Sequence, residues 1–184
     1  MKIDKRLLLA GMAVAVTMFA AVSASSASAA VWKMSGVNVT KFTELGLSGG
    51  EVFESGTSGM SCELHATLTT EGGSTGKITK FETKKCSGGF GEMTGCELNT
   101  TESKGLPWTV DVGTTDLTIT NMHLRRTFKA GCKITELDKT YSPTVTLIAP
   151  TAITEMEFLA TIAGYKSFGS FTVDAPNSGT YGIG

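Results

Sequence analysis

The sequence predicts a single all-β domain, an antiparallel β-sandwich with two disulfides, with a closed β-barrel as the alternative arrangement of the same strands. Three observations predict it. The chain is rich in Thr, Ser and Gly, with Val, Ile and Phe spaced among them; β-branched residues suit the pleated face of a sheet, and Gly punctuates turns. Apolar and polar residues alternate in a series of short runs, the period-two signature of strands with one buried face. Four cysteines, all beyond the N-terminal leader, form an even set, which in an exported domain reads as a disulfide framework.

The leader stands first. Residues 1–29 read as a secretory signal peptide: Lys2, Lys5 and Arg6 form the charged start, residues 7–22 are an apolar run of 16, and Ala27-Ser28-Ala29 supplies the small residues a signal peptidase accepts. The run falls short of the roughly 18 apolar residues that a membrane anchor needs. A lipid anchor needs a Cys at the cleavage point, whereas the first is Cys62; Leu106-Pro107-Trp108-Thr109 fails as a sortase signal because Val110 stands where Gly belongs. Removing 29 residues from 184 leaves 155 for residues 30–184, enough for one core and too few for two. The expected location is secreted, extracellular or cell-surface associated, with no transmembrane segment after cleavage.

The leader holds three of the 16 basic and one of the 17 acidic residues, leaving 13 against 16 and a net charge near −3. Without a Lys/Arg cluster, that balance excludes nucleic acid as a partner.

The alternating runs fall at residues 31–40, 60–69, 77–83, 95–101, 108–112, 116–123, 127–136, 144–149, 153–162 and 167–174. Residues 42–58 are Gly-rich, with 51–54 as a short edge strand. Connections such as Glu71-Gly72-Gly73-Ser74-Thr75-Gly76 suit hairpin loops. Pro107, Pro143, Pro150 and Pro176 fall at the ends of runs, where a missing N–H does least harm.

Strand parity suggests how the cysteines pair. Met60, Cys62, Leu64, Ala66 and Leu68 share one phase, and Phe128, Ala130, Cys132 and Ile134 share another, so Cys62 and Cys132 both face the core. Cys86 and Cys96 flank Ser87-Gly88-Gly89-Phe90-Gly91, a segment able to curl back on itself. The expected bridges are Cys62–Cys132 and Cys86–Cys96. Neither a metal site nor a redox pair is expected, because there is no Cys-x-x-Cys and only His65 and His123 are available as further ligands.

The order Cys62, Cys86, Cys96-Glu97-Leu98, Leu106-Pro107-Trp108 and Gly131-Cys132, with Asn177-Ser178-Gly179-Thr180-Tyr181 near the end, resembles a group of small secreted actinobacterial proteins without an assigned activity. The resemblance implies export and a β-rich, disulfide-bonded domain, and it carries over no functional residue.

Chemistry is sparse. His65 is out of phase with the apolar set around Cys62 and reads as solvent-facing; His123 precedes Leu124-Arg125-Arg126 at a turn between strands. Neither accompanies a Gly-x-Ser-x-Gly elbow, and Ser48-Gly49-Gly50 lacks the flanking residues of a trypsin-like nucleophile. Glu155 and Glu157 share a strand face about 7 Å apart, inside the range of an inverting glycosidase pair. Asp111-Val112-Gly113-Thr114 only loosely matches an aspartic protease loop, and no Asp-x-Asp-x-Asp calcium loop occurs. Trp108 shares the phase of Val110 and Val112 and reads as a core anchor, Trp32 as a cover for one end of the sheet. Tyr141, Tyr165 and Tyr181 lie near turns, where they would line a surface.

The expected function is an exported, non-enzymatic β-domain that binds an envelope glycan, another envelope component or a protein partner, with no catalytic residue, cofactor or metal. The competing class is a secreted hydrolase using Glu155/Glu157 or a histidine.

Overall fold

The computed structural model describes residues 30–41, 43–162, 164–174 and 180–184. The expected signal peptide and Asn177-Ser178-Gly179 of the C-terminal motif lie outside the described residues. The strands are β1 (Trp32–Met34), β2 (Val37–Asn38), β3 (Thr43–Ser55), β4 (Ser58–Thr70), β5 (Thr75–Phe90), β6 (Leu98–Lys104), β7 (Trp108–Val112), β8 (Asp116–Thr120), β9 (Met122–Phe128), β10 (Glu136–Tyr141), β11 (Thr144–Ile148), β12 (Glu155–Ile162), β13 (Tyr165–Val173) and β14 (Tyr181–Ile183). Eight of them close into an antiparallel barrel in the order β11-β12-β13-β3-β4-β5-β7-β8. The all-β class and two disulfides are as expected, and closure selects the barrel alternative, which removes exposed sheet edges from the wall.

Two three-stranded sheets complete the molecule, β14-β1-β2 and β10-β9-β6. The second is a continuation of the barrel wall. β6 leads into β7 through Gly105 and the cis Leu106–Pro107 bond, β8 into β9 through Asn121 alone, and β10 into β11 through Ser142-Pro143. The lateral order β10-β9-β6 repeats that of β11-β8-β7, so three bent strands share one bend. Gly105 and Asn121 take positive φ there, 70° and 56°, a region Gly and Asn enter at least cost. The sheet β14-β1-β2 sits at the opposite end, where Trp32 donates its backbone N–H to Gly73 and its indole N–H to Thr75 O, and Ile153 donates to Tyr181 O.

The lumen is packed by inward residues of every wall strand, among them Leu47, Leu64, Ile78, Val110, Leu117 and Met156. Trp108 is a core anchor as expected, and Trp32 is fully buried over one end. A second core lies between the far ends of β3–β5 and the β10-β9-β6 sheet, built from Phe53, Met60, Met93, Phe128 and the cysteines. β9 spans both: Met122 and Leu124 enter the first core and Phe128 the second.

Three expectations need correction. The short edge strand expected at 51–54 in the Gly-rich stretch is part of a much longer element; β3 is a 13-residue wall strand paired with both β13 and β4. Its inward phase contains Gly49 and Glu51 between Leu47 and Phe53, which hides the apolar alternation. Gly49 is required: a Cβ there stands 2.0 Å from Ser170 O, so the two strands approach too closely for a side chain where the wall bends. The runs at 116–123 and 127–136 are not single strands, because Asn121 divides β8 from β9, β9 ends at Phe128 and β10 begins at Glu136.

The third correction concerns the cysteines. The bridges are Cys62–Cys86 and Cys96–Cys132, not Cys62–Cys132 and Cys86–Cys96. Cys62 and Cys132 are both buried, as parity requires, and lie in the same core. Yet Cys62 directly opposes Cys86 across β4 and β5, with Cα atoms 4.0 Å apart. Cys96 meets Cys132 where the segments flanking β6 and β9 converge, held by the Lys129 N–H to Glu97 O bond. Parity assigns a face; it does not assign the neighbour on that face.

Candidate functional site

The deepest chemistry lies where the two cores meet. Arg126 on β9 and Glu51 on β3 are each inward-facing and almost fully buried, 4% and 2% exposed. Arg126 donates through Nη1 to Glu51 Oε1 at 3.0 Å and through Nη2 to Oε2 at 2.6 Å, and Ser167 Oγ donates to Oε1 at 2.5 Å. Burial opposes the Arg126 charge, but the charge and hydrogen bonds of Glu51 outweigh it and hold the guanidinium above its ordinary value. The Arg126 Nε–H is buried without a partner among the described residues.

Arg126 and Glu51 line a cavity of about 20 Å³ together with Tyr141 and apolar residues that include Leu64, Met122 and Phe158. Burial pushes the Tyr141 phenol well up, Glu51 adding to the effect and Arg126 opposing it, so Tyr141 stays protonated. A second cavity of about 20 Å³ continues along the lumen among apolar side chains, Leu68, Val110 and Met156 among them. Phe81, Ile119, Val145 and Phe171 line both.

The outer wall carries a second candidate. Leu159, Phe168 and Val52 are successive cross-strand partners on β12, β13 and β3, and Leu159 is 66% exposed. They lie beside an open depression of about 520 Å³ over Gly50 and Gly169, bordered by Val52, Ser61, Glu157 and Phe168. Glu157 therefore flanks this depression, whereas Glu155 does not line it; both face solvent.

His65 and His123 each acquire partners that sequence reasoning missed. Ser48 lies directly across from His65 in the β3–β4 register, with Ser48 Oγ 3.5 Å from His65 Nδ1 and His65 Nε2 2.9 Å from Glu63 Oε1. This places a hydroxyl, an imidazole and a carboxylate in series. The Ser48 hydroxyl, however, donates to Asp174 Oδ1 at 2.7 Å, and the Glu63 and His65 side chains are 53% and 38% exposed. The His65 hydrogen bond holds the Glu63 carboxyl below its ordinary value.

His123 lies on β9, one residue past the bend, and binds Asp138 Oδ1 through Nε2 at 2.5 Å, while Lys104 Nζ donates to Oδ2 at 2.8 Å. Hydrogen bonds from Lys104 and then His123 hold the Asp138 carboxyl at about 2. A depressed folded value means that Asp138 contributes stability fully above its unfolded value of about 3.9, and that this is lost as pH falls through about 2. Asp138→Asn is expected to lower the urea midpoint at pH 5, with the difference from the parent closing as pH approaches 2. A difference that stays constant between pH 5 and 2 would refute the linkage.

Tyr181 is buried, and the Tyr165 side chain lies outside the described positions. No group of three His, Cys, Asp or Glu residues able to hold a metal occurs among the described residues, and no described helix is long and apolar enough to cross a membrane.

Residues 1–165 match the family described as alkane oxidation protein activator PraA/PraB-like. No curated protein and no solved structure matches the chain.

Proposed function

We propose, from the premise that this chain belongs to the alkane oxidation protein activator PraA/PraB-like family, that it is an exported, non-enzymatic accessory that supports alkane oxidation by binding. The observation that carries this reading is the outer apolar row Leu159–Phe168–Val52 beside its open depression, a cross-strand row on a wall where Ile148 of β11 is a further exposed apolar side chain. Burying a Leu or Phe side chain stabilises a contact by about 1.5–3 kcal/mol. The row thus suits apolar material met outside the cell, the alkane surface itself or an apolar envelope component or protein partner. The leader, the likeness to small secreted proteins and the two disulfides support export.

The test uses protein recovered from culture medium, whose N-terminus is expected at Ala30. Shaken with hexadecane droplets, it is expected to leave the aqueous phase, and the double variant Leu159→Asn/Phe168→Ser is expected to stay behind while keeping its thermal midpoint. Equal partitioning of parent and variant would remove the outer row from the reading.

One observation favours a second reading, the secreted hydrolase using a histidine: the Ser48–His65–Glu63 series. Release of p-nitrophenol from short acyl esters, abolished by Ser48→Ala, would establish it. The solvent-facing placement of all three groups, and the commitment of the Ser48 proton to Asp174, favour binding.

A further inference from the structure

The outer wall carries charge as well as apolar surface, and the two are interleaved. On β12, Glu155, Glu157 and Leu159 share the outward phase, and all three are exposed. The ladder sets Ile148 of β11 directly opposite Glu155, and Phe168 of β13 directly opposite Leu159. Ile148 and Leu159, 41% and 66% exposed, therefore stand at the two ends of a carboxylate pair. Residues two apart on a strand lie about 7 Å apart, so the line from Glu155 to Leu159 spans about 13 Å. Elsewhere on the surface carboxylates are matched: Glu82 by Lys80 and Lys84, Glu136 by Arg125, Asp138 by Lys104. Glu155 and Glu157 stand in no ion pair among the described residues. Lys166 is across from Glu54, on the far side of the Leu159–Phe168–Val52 row from Glu157.

This arrangement restricts what can cover the face. An uncharged apolar surface that reached both Ile148 and Leu159 would strip water from two carboxylates and leave them without partners, which is strongly unfavourable. An anionic surface would add repulsion. Cations set among apolar groups meet neither penalty, and charge complementarity of this kind selects partners. We propose that this face docks a protein partner through an extended segment bearing Lys or Arg at two alternate positions and apolar side chains at the next two. The same-face spacing of such a segment matches that of β12, so its cations meet Glu155 and Glu157 while its apolar groups seat on Leu159 and Phe168. The depression of about 520 Å³ fits the long basic stems. It lies beside Glu157 over Gly50, where an added Cβ would find only Cys62 O, at 3.8 Å. Lys and Arg stems cover apolar surface while their charged heads stay in water. The inference rests on the outer row being a binding surface, as proposed above, and names the partner it takes.

The experiment follows backbone amide resonances of the intact, disulfide-bonded exported protein during titration with the synthetic peptide Lys-Ser-Lys-Ser-Leu-Ser-Leu. Two control peptides replace both Lys by Glu or both Leu by Ser. The expected result is a saturable shift of the Ile148, Glu155, Glu157 and Leu159 amides with the first peptide, and binding about tenfold weaker for either control. Glu155→Gln/Glu157→Gln should weaken the first peptide about tenfold, and Glu155→Lys/Glu157→Lys should transfer the preference to the Glu peptide. Both variants alter exposed side chains and are expected to keep the parent's thermal midpoint. Equal binding of the Ser control overturns the proposal by leaving charge alone, and equal binding of the Glu control overturns it by leaving apolar contact alone. No saturable shift, in a protein that still leaves the aqueous phase with hexadecane, overturns the basic partner while the outer row stands as a binding surface; loss of both removes the surface itself. A dimer in sedimentation velocity that Leu159→Asn/Phe168→Ser dissociates would assign the face to a second copy and overturn the proposal as well.

Discussion

Arg126→Met is expected to lower the unfolding free energy by about 3–5 kcal/mol, because it leaves the Glu51 carboxylate buried and unpaired. Glu51 is 2% exposed and would retain only the Ser167 hydroxyl, too little to replace two charge-assisted bonds. The measurement is urea unfolding of parent and variant, with the shift read from the midpoint at unchanged slope. The double variant Glu51→Leu/Arg126→Met separates two explanations. If the single variant suffers from a stranded charge, removing both charges recovers most of the loss, since apolar replacements of a buried pair are often neutral or better. If the double variant is as unstable as the single, the pair itself holds the two cores together. We expect recovery in stability with loss of the junction cavity's polar end, so the variant also tests why charge is kept there. A stability change below about 1 kcal/mol in Arg126→Met, the size of an exposed pair, would show that the pair is solvated in solution.

Both members of that pair carry a signal that was present in the alternation. Met122, Leu124, Arg126 and Phe128 share one phase on β9, and Leu45, Leu47, Gly49, Glu51 and Phe53 share one on β3. A charge standing in the apolar phase of a strand, matched by an opposite charge in the apolar phase of another, is how the pair announces itself. Read only as hydrophobicity, the same residues break the pattern, which reduces β3 to a short edge strand at 51–54. The strands with unbroken phase, such as β4, β7 and β12, were legible, as were the all-β class, the anchor role of Trp108 and the outward direction of Glu155 and Glu157.

Pairing across strands was not legible. The series Ser48–His65–Glu63 depends on the β3–β4 register, and the cluster Lys104–Asp138–His123 on that of β6, β9 and β10. Register is set by turns and irregularities: β4 and β5 shift against each other at Glu63/Leu64 and again at Thr67/Leu68. A single bulge moves every later partner by one residue and changes which side chains meet. Nothing in local alternation encodes that.

The cysteines make the same point with a sharp test. Trypsin leaves Cys62 on residues 42–77, Cys86 and Cys96 together on 86–104, and Cys132 on 130–133. With bridges Cys62–Cys86 and Cys96–Cys132, all three peptides leave the unreduced protein as one linked species. With the pairing expected from parity, peptide 86–104 is released alone, closed on itself. Further cleavage after Glu92 separates Cys86 from Cys96 and is expected to split the linked species into two, one holding Cys62 and the other Cys132. A species joining Cys62 to Cys96 would contradict the pairing. The energetic consequence is large for a domain of this size. The bridges close 24- and 36-residue separations, for which chain entropy gives about 3.5 kcal/mol each as an upper estimate. Cys62→Ala/Cys86→Ala and Cys96→Ala/Cys132→Ala are each expected to lose about 2–4 kcal/mol in urea unfolding. Their structural effects should differ. The Cys62–Cys86 pair links strands that already oppose one another in a long ladder, so its removal should leave the barrel register intact and mainly relax the unfolded chain. Cys96–Cys132 instead joins the two segments at the far end of the β10-β9-β6 sheet, beside Phe128 and Met93. Its removal should raise amide exchange in β6 and β9 before it does so in β3 or β4.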